Sequence, residues 1–230
     1  MRRFFWIPGH GLGTWYRGDR TRYLVPGGHV DGLARFARGV VRGRRYAQAP
    51  RQDIVKADHV YHVIVRGNNK AAVFLDEHDY GRYSELLLDA KRRFGASLFH
   101  FVLMPNHVHL IIRPGHQGLS ALMHAVQLPF AKHFCRKYHH VGHVWQGRFK
   151  SLAIESDAYL LACGNYVEMN PVRASIATKP EDWPHSSYRA YAFGQPLALV
   201  DQDPLYEGIA ALPEDRQRRY RELLVITRSF

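Results

Sequence analysis

The chain of 230 residues contains only two cysteines, Cys135 and Cys163, and neither has a CxxC partner. This scarcity argues against a disulfide scaffold or a cysteine zinc site and favours a reducing cytoplasm. No apolar run approaches the roughly 20 residues that a membrane-spanning helix needs, so we expect no membrane partner. No apolar segment follows the basic pair near the start, which argues against a secretory signal. The composition, with 46% hydrophobic and 23% charged residues, is typical of a globular protein.

Negative charge is also scarce, and residues 90–154 contain no Asp or Glu. The chain has 32 Lys and Arg against 20 Asp and Glu, a formal net charge of +12. A basic surface with interleaved aromatic rings suits a phosphate backbone and unstacked bases. The alternative is a basic surface that serves solubility, and the large charge excess favours nucleic acid. The side chains of this stretch that we expect to bind DNA are Arg113, Lys132, Arg136, Lys137, Trp145, Arg148 and Lys150.

The sequence pattern divides the chain into three parts. Residues 1–54 are rich in Gly and Arg and show no helical or strand period, so we interpret them as a mobile basic arm. Residues 55–195 carry the periodic pattern of one domain, and residues 196–230 form a C-terminal extension with a helix. The predicted strands are 60–65, 97–103, 107–113 and 148–155, and the predicted helices are 76–94, 119–138, 157–170 and 214–225. This β-α-β-β-α-β order predicts an α+β fold, a ferredoxin-like antiparallel sheet with helices on one face.

Two groups of side chains could carry chemistry. His107 and His109 lie two positions apart on a predicted strand, so both imidazoles point to the same face and could bind one ion. One His-x-His pair is expected by chance in such a histidine-rich chain. The alternative to an ion site is therefore two histidines on a solvent-exposed sheet face. Tyr166 and Asn170 lie one turn apart on the same side of a predicted helix. A tyrosine in such a position is more often part of a hydrophobic core. Glu168 should point elsewhere, as a solvated charge.

Together these residues suggest a phosphoryl-transfer site. His107, His109 and Asn170 would hold Mg²⁺ or Mn²⁺ at a scissile phosphate, and the ion would neutralise developing charge. Tyr166 would attack in line and form a phosphotyrosine, which conserves the bond energy for rejoining.

Residues 103–111, with the sequence LMPNHVHLI, look like the HUH motif of single-tyrosine transposases. Residues 61–69, 145–150, 166–174 and 183–188 resemble the REP-associated branch of that family. The segments follow the family's order over roughly residues 56–195, and the ordered set is far more specific than any one of them.

The resemblance implies an HUH endonuclease fold and a metal-dependent nick in single-stranded hairpin DNA, with a 5′-phosphotyrosine intermediate. By position, Tyr166 matches the nucleophile, and His107 and His109 match the metal pair. Many relatives have glutamine where this chain has Asn170, whose reach is shorter. Trp145, Arg148 and Lys150 would then clamp the DNA next to the tyrosine helix, although a core role for Trp145 is an equal alternative. Association with DNA would place the protein at the nucleoid.

Other functions stay open at this point. A domesticated descendant could bind hairpins and cut them poorly, but intact His107, His109, Tyr166 and Asn170 favour the transposase. An RNA-binding domain on a ferredoxin-like sheet would show an RNP-type aromatic strand, which is missing. A rolling-circle initiator or relaxase would share the histidine pair but not the other segments. Whether the protein acts as a monomer or a homodimer stays open.

Overall fold

A computed structural model describes residues 59–154 and 157–228, together with four short strands in the N-terminal part of the chain. The strands are β1 (Phe5–Ile7), β2 (Thr14–Tyr16), β3 (Arg22–Leu24), β4 (Ala47–Gln48), β5 (Val60–Arg66), β6 (Ser97–Met104), β7 (His107–Arg113) and β8 (Lys150–Ile154). The helices are α1 (Glu77–Phe94), α2 (Gly118–Tyr138), α3 (Asp157–Glu168), α4 (Asn170–Arg173), α5 (Tyr188–Phe193) and α6 (Pro213–Arg228). Apart from β1–β4, the predicted N-terminal arm lies outside the described residues.

The central sheet is antiparallel and has the strand order β4-β8-β5-β7-β6. Strands β1–β3 form a separate three-stranded antiparallel sheet. The strands and long helices of the main body follow the predicted β-α-β-β-α-β order. The third predicted helix is divided in two, because α3 ends at Glu168 and the short α4 begins at Asn170.

Helix α1 shows how local sequence fixes an element. The carboxylate of Asp76 accepts a hydrogen bond from the backbone N–H of Asp79 at 3.1 Å and caps the first turn. Acidic residues occupy this first turn and three basic residues occupy the last, which matches the helix dipole. Gly95 ends the helix in the left-handed conformation at φ 66°, where a side chain would be strained.

The sheet separates two hydrophobic layers. On one face, the alternate residues Val63, Val65 and Leu110 pack against α1 and α2. On the opposite face, Phe99, Val102 and Ile111 pack against Leu160, Cys163 and Val167 of α3. The predicted helix pair therefore covers one face, and the helix that carries Tyr166 lies on the other. This arrangement brings Tyr166 to the face onto which His107 and His109 project.

Candidate active site

The strand register places the histidines in adjacent rows of one sheet face. Strand β7 pairs with β5 so that His109 lies opposite Ile64 and His107 lies opposite Arg66. Residues 62, 64 and 66 of β5 therefore share the face of residues 107 and 109 of β7. Three imidazoles meet on this face because His62 lies one row from His109.

His62 contacts His109 directly, and sequence reasoning gave it no role. Its Nε2 lies 2.9 Å from Nδ1 of His109, and the two rings stack with centroids 5.1 Å apart. Burial lowers the pKa of His62 to about 4. Burial also holds the pKa of His109 well below its usual value, with help from the neighbouring His62. Both rings are therefore neutral near pH 7. Their hydrogen bond uses Nδ1 of His109, and Nε2 of His109 takes no part in it.

The tautomer of His107 follows from its neighbour. Asn106 donates its amide N–H to the carbonyl oxygen of Lys70 at 2.9 Å, which identifies its other amide atom as the oxygen. That oxygen lies 2.6 Å from Nδ1 of His107, so this nitrogen carries the proton and donates it. Burial, and then the charge of Arg66, lowers the pKa of His107 to about 4. Nε2 of His107 therefore has a free electron pair.

Tyr166 lies half-buried beside this cluster. Its ring centroid is 6.3 Å from that of His62 and 6.4 Å from that of His109, in edge-on contacts. The guanidinium carbon of Arg173 lies 4.2 Å from the centre of the Tyr166 ring, within cation–π distance. Arg173 belongs to α4 and, like His62, was not singled out from the sequence. A cation at this position favours the binding of a phosphate beside the ring.

Asn170 holds the C-terminal end of the tyrosine helix. Its amide nitrogen donates to the carbonyl oxygens of Tyr166 and Val167, both at 3.0 Å. These bonds occupy the donors of the amide group and leave its oxygen as a possible acceptor or ligand. The turn between α3 and α4 is therefore fixed by the residue predicted as the third ligand.

The donor set fits a divalent ion. The rings of His107 and His109 lie 5.0 Å apart by their centroids, both are neutral, and both are bonded through Nδ1. Metal-binding histidines need a neutral ring whose other nitrogen is held by a hydrogen bond. Two imidazole nitrogens suit Mn²⁺, and also Mg²⁺ when phosphate oxygens complete its shell. The amide oxygen of Asn170 stays a prediction as the third ligand.

A second cluster combines His78, Asp79 and His133, whose donor atoms lie within 4.8 Å of one another. It lies between α1 and α2, on the opposite side of the sheet from Tyr166. The Asp79 carboxylate already accepts from His133 at 3.1 Å, Lys137 at 2.9 Å and Tyr138 at 2.7 Å. An ion would have to displace the ammonium group of Lys137, so this cluster is a helix–helix ion pair.

Two of the residues predicted to bind DNA lie on, or next to, the edge of the sheet face that carries the histidines. Lys150 is exposed and pairs with Ile64 in the sheet, so it shares the face and the row of His109. Arg148 is exposed just before the same strand. Trp145 donates its indole N–H to the carbonyl oxygen of Gln127 at 3.1 Å and packs against the core of the helix-covered face. For Trp145 these contacts favour the core role over stacking on a base.

The other predicted DNA contacts lie away from Tyr166. Arg113 lies at the opposite end of β7 from His107, with its guanidinium 5.2 Å from the centre of the Phe99 ring. Lys132 and Arg136 are exposed on α2, across the sheet. Lys137 forms ion pairs with Asp76 at 2.7 Å and with Asp79 at 2.9 Å.

The expectation that Glu168 is a solvated charge is wrong. We expected a solvated charge, but its side chain is 0% exposed and accepts hydrogen bonds from His100, Ser187 and Tyr220. The partners come from distant segments, including the C-terminal helix, which one position in a helical pattern does not reveal.

The sheet order, the helix on its second face and the tyrosine beside a histidine pair define the HUH fold of single-tyrosine transposases. A family model described as "Transposase IS200 like" matches residues 55–170. The chain belongs to the IS200-like transposase family, as the sequence motifs predicted.

One solved structure agrees with this fold. The chain is similar to a REP-associated tyrosine transposase bound to a REP hairpin, with 21% identity over 70% of this chain and 90% of that chain and a TM-score of 0.50. It also matches a putative transposase from Deinococcus radiodurans, with 19% identity over 57% of this chain and 96% of that chain and a TM-score of 0.36. No curated protein matches the chain. Among the described residues, no helix has the length and apolarity needed to cross a membrane.

Proposed function

We propose that this protein is a metal-dependent endonuclease and strand transferase that acts on single-stranded hairpin DNA through a 5′-phosphotyrosine. The observation that carries the proposal is the position of Tyr166, whose ring contacts both His62 and His109. A tyrosine that served only the core would not need neutral, buried imidazoles on one side and an arginine over its ring. This environment suits a nucleophile that attacks a phosphate.

The chemistry can be followed atom by atom. The phenol of Tyr166 loses its proton to solvent, and its oxygen forms a bond to phosphorus. The bond between phosphorus and the 3′ oxygen breaks, and that oxygen takes up a proton to leave as a 3′-hydroxyl. A divalent ion at His107 and His109, when bound, supplies polarisation of the phosphoryl oxygen. Arg173 keeps positive charge beside the Tyr166 ring throughout.

The substrate class follows from charge and from the structural likeness. Arg66 and Lys150 are exposed on the sheet face that carries the histidines, and Arg173 adds a third cation over Tyr166. Three cations on the sheet face that carries the nucleophile favour a phosphodiester backbone as ligand. The solved REP-associated transposase is bound to a DNA hairpin, which supports a hairpin as the substrate of this chain as well.

Covalent trapping tests the proposal. The protein is incubated with single-stranded hairpin oligonucleotides from DNA flanking its gene, in Mg²⁺, Mn²⁺ or EDTA. We expect a nick and a protein–DNA adduct that survives denaturation, in metal only. Tyr166→Phe should lose both, and Tyr138→Phe, on the opposite side of the sheet, should keep both. Tight hairpin binding without nick or adduct would instead support the domesticated binding protein.

A further inference from the structure

The Glu168 carboxylate lies at the junction of four segments of the chain. One oxygen accepts from Oγ of Ser187 at 2.5 Å and lies 3.0 Å from Nδ1 of His100. The other oxygen accepts from the hydroxyl of Tyr220 at 2.7 Å. The carboxylate therefore connects α3 to strand β6, to the segment before α5 and to the C-terminal helix α6.

His100 continues the network to a second carboxylate. Its Nε2 lies 3.0 Å from an oxygen of Asp203, and both side chains are 0% exposed. Burial alone would lower the pKa of His100, but hydrogen bonds to Asp203 and Glu168 outweigh it and raise the pKa to about 9. A protonated His100 donates from both ring nitrogens, one to each carboxylate, and links them across the sheet surface.

The helix approaches this histidine closely at Gly164. A β-carbon added there would lie 2.6 Å from Cε1 and Nε2 of His100. Only glycine lets the backbone of α3 come this near to the ring without displacing it. The hydrogen bonds and the close approach therefore act on the same helix, on either side of Tyr166 in the sequence.

Glu168 and Tyr166 point to different sides of α3, about 200° apart for two helical positions. On one side the carboxylate is held by three donors, and on the other the phenol faces the histidines. Three directional bonds at one carboxylate restrict both the rotation of the helix about its axis and its sliding along the sheet. Burial of a charge is costly. If the residue only held the packed segments together, an apolar side chain would do so equally well.

We propose that Glu168 is a positioning residue that sets the rotation of α3, and thereby aims the Tyr166 phenol at the histidine pair of the same chain. Its partners in this role are His100 and Tyr220. The inference rests on the proposed function, in which Tyr166 is the nucleophile. It gives the C-terminal extension a role in the reaction, because Tyr220 belongs to α6.

The experiment compares Glu168→Gln and Tyr220→Phe with a matched control, Tyr206→Phe. Tyr206 is also a buried tyrosine of the same cluster, but its hydroxyl donates to the carbonyl oxygen of Tyr191 at 2.6 Å. We expect Glu168→Gln and Tyr220→Phe to slow single-turnover adduct formation about 10- to 100-fold, as small misplacements of a reacting group do. The dissociation constant for the hairpin should stay within about twofold, because substrate contacts are kept. Tyr206→Phe should react at the wild-type rate.

Hydrogen exchange of the α3 amides gives a readout that does not require activity. Exchange should rise in Glu168→Gln and Tyr220→Phe but not in Tyr206→Phe, because only the first two loosen this helix. Unchanged adduct rates and exchange in both variants would overturn the inference, as would equal effects in Tyr206→Phe. Where Glu168→Gln fails to fold, Tyr220→Phe decides. Absence of an adduct from the wild-type protein would count against the proposed function, and the exchange data would still decide the positioning of α3.

Discussion

Glycine at position 164 provides a test of the geometry around the tyrosine helix. A methyl group at this position would lie 2.6 Å from two atoms of His100 and 2.8 Å from a third. The histidine cannot turn aside, because both of its nitrogens are bonded to buried carboxylates. Gly164→Ala should therefore force the helix away from the sheet or break these bonds.

The size of the effect follows from two opposing contributions. Overpacking of a well-packed core costs about 1–3 kcal/mol, and loss of the charged hydrogen bonds of His100 places this site toward the upper end. Replacing glycine by alanine inside a helix contributes about 1 kcal/mol in the opposite direction. We expect Gly164→Ala to lower the free energy of unfolding by about 1–2 kcal/mol.

Gly81 is a matched control within the same molecule. It lies exposed in α1, and a β-carbon there would meet no atom within 4 Å. Gly81→Ala should gain the helical preference without the clash, and raise the free energy of unfolding by about 0.5–1 kcal/mol. Urea denaturation followed by circular dichroism measures both variants. A change of the free energy of unfolding in the same direction for both substitutions would refute the packing described for Gly164.

Two further predictions concern the histidines. Because the pKa of His100 is raised to about 9 in the folded protein, its stabilisation should be complete below about pH 6.5 and be lost as the pH rises to about 9, a change of about 3 kcal/mol. Urea denaturation at pH 6.5 and pH 9.5 measures this change, and a flat profile would contradict a charged His100. His62→Phe removes the partner of Nδ1 of His109 and should weaken Mn²⁺ binding about 10- to 100-fold in calorimetric titrations. Unchanged affinity would show that His62 does not orient His109.

Much of the fold could be predicted from local patterns. The alternation in residues 107–113 and the capped, dipole-matched pattern of residues 76–94 each predict an element from nearby residues alone. The same logic placed His107 and His109 on one face, because the strand period is independent of the rest of the chain. The contact between Tyr166 and that face needed the order of the elements as well, and the resemblance to transposases provided it.

Contacts between distant segments could not be predicted in this way. His62 reaches His109 only because β5 and β7 pair with one particular register, which the composition of neither strand reveals. Glu168 lies in a buried network that includes Tyr220, far along the chain. A charge in a helical pattern is usually solvated, so the buried network was the less expected outcome.

Basic residues show the same limit for the DNA-binding surface. The lack of acidic residues in 90–154 predicted DNA binding equally for Lys137 and Lys150. In the structure these two lysines lie on opposite sides of the sheet. Lys137 is bonded to Asp76 and Asp79, which precede that stretch in the sequence. Lys150 is exposed in the row of His109. Charge counts indicate a class of ligand, but the sheet register determines which cations lie beside the nucleophile.

The central claim is that Tyr166 forms the covalent bond to DNA. The most direct measurement is tandem mass spectrometry of the adduct after nuclease and protease digestion, which locates the nucleotide on the peptide chain. We predict a 5′-phosphonucleotide on the phenolic oxygen of Tyr166 and a free 3′-hydroxyl on the released strand. A nucleotide on another residue, or a nicked strand without any linked protein, would contradict the account.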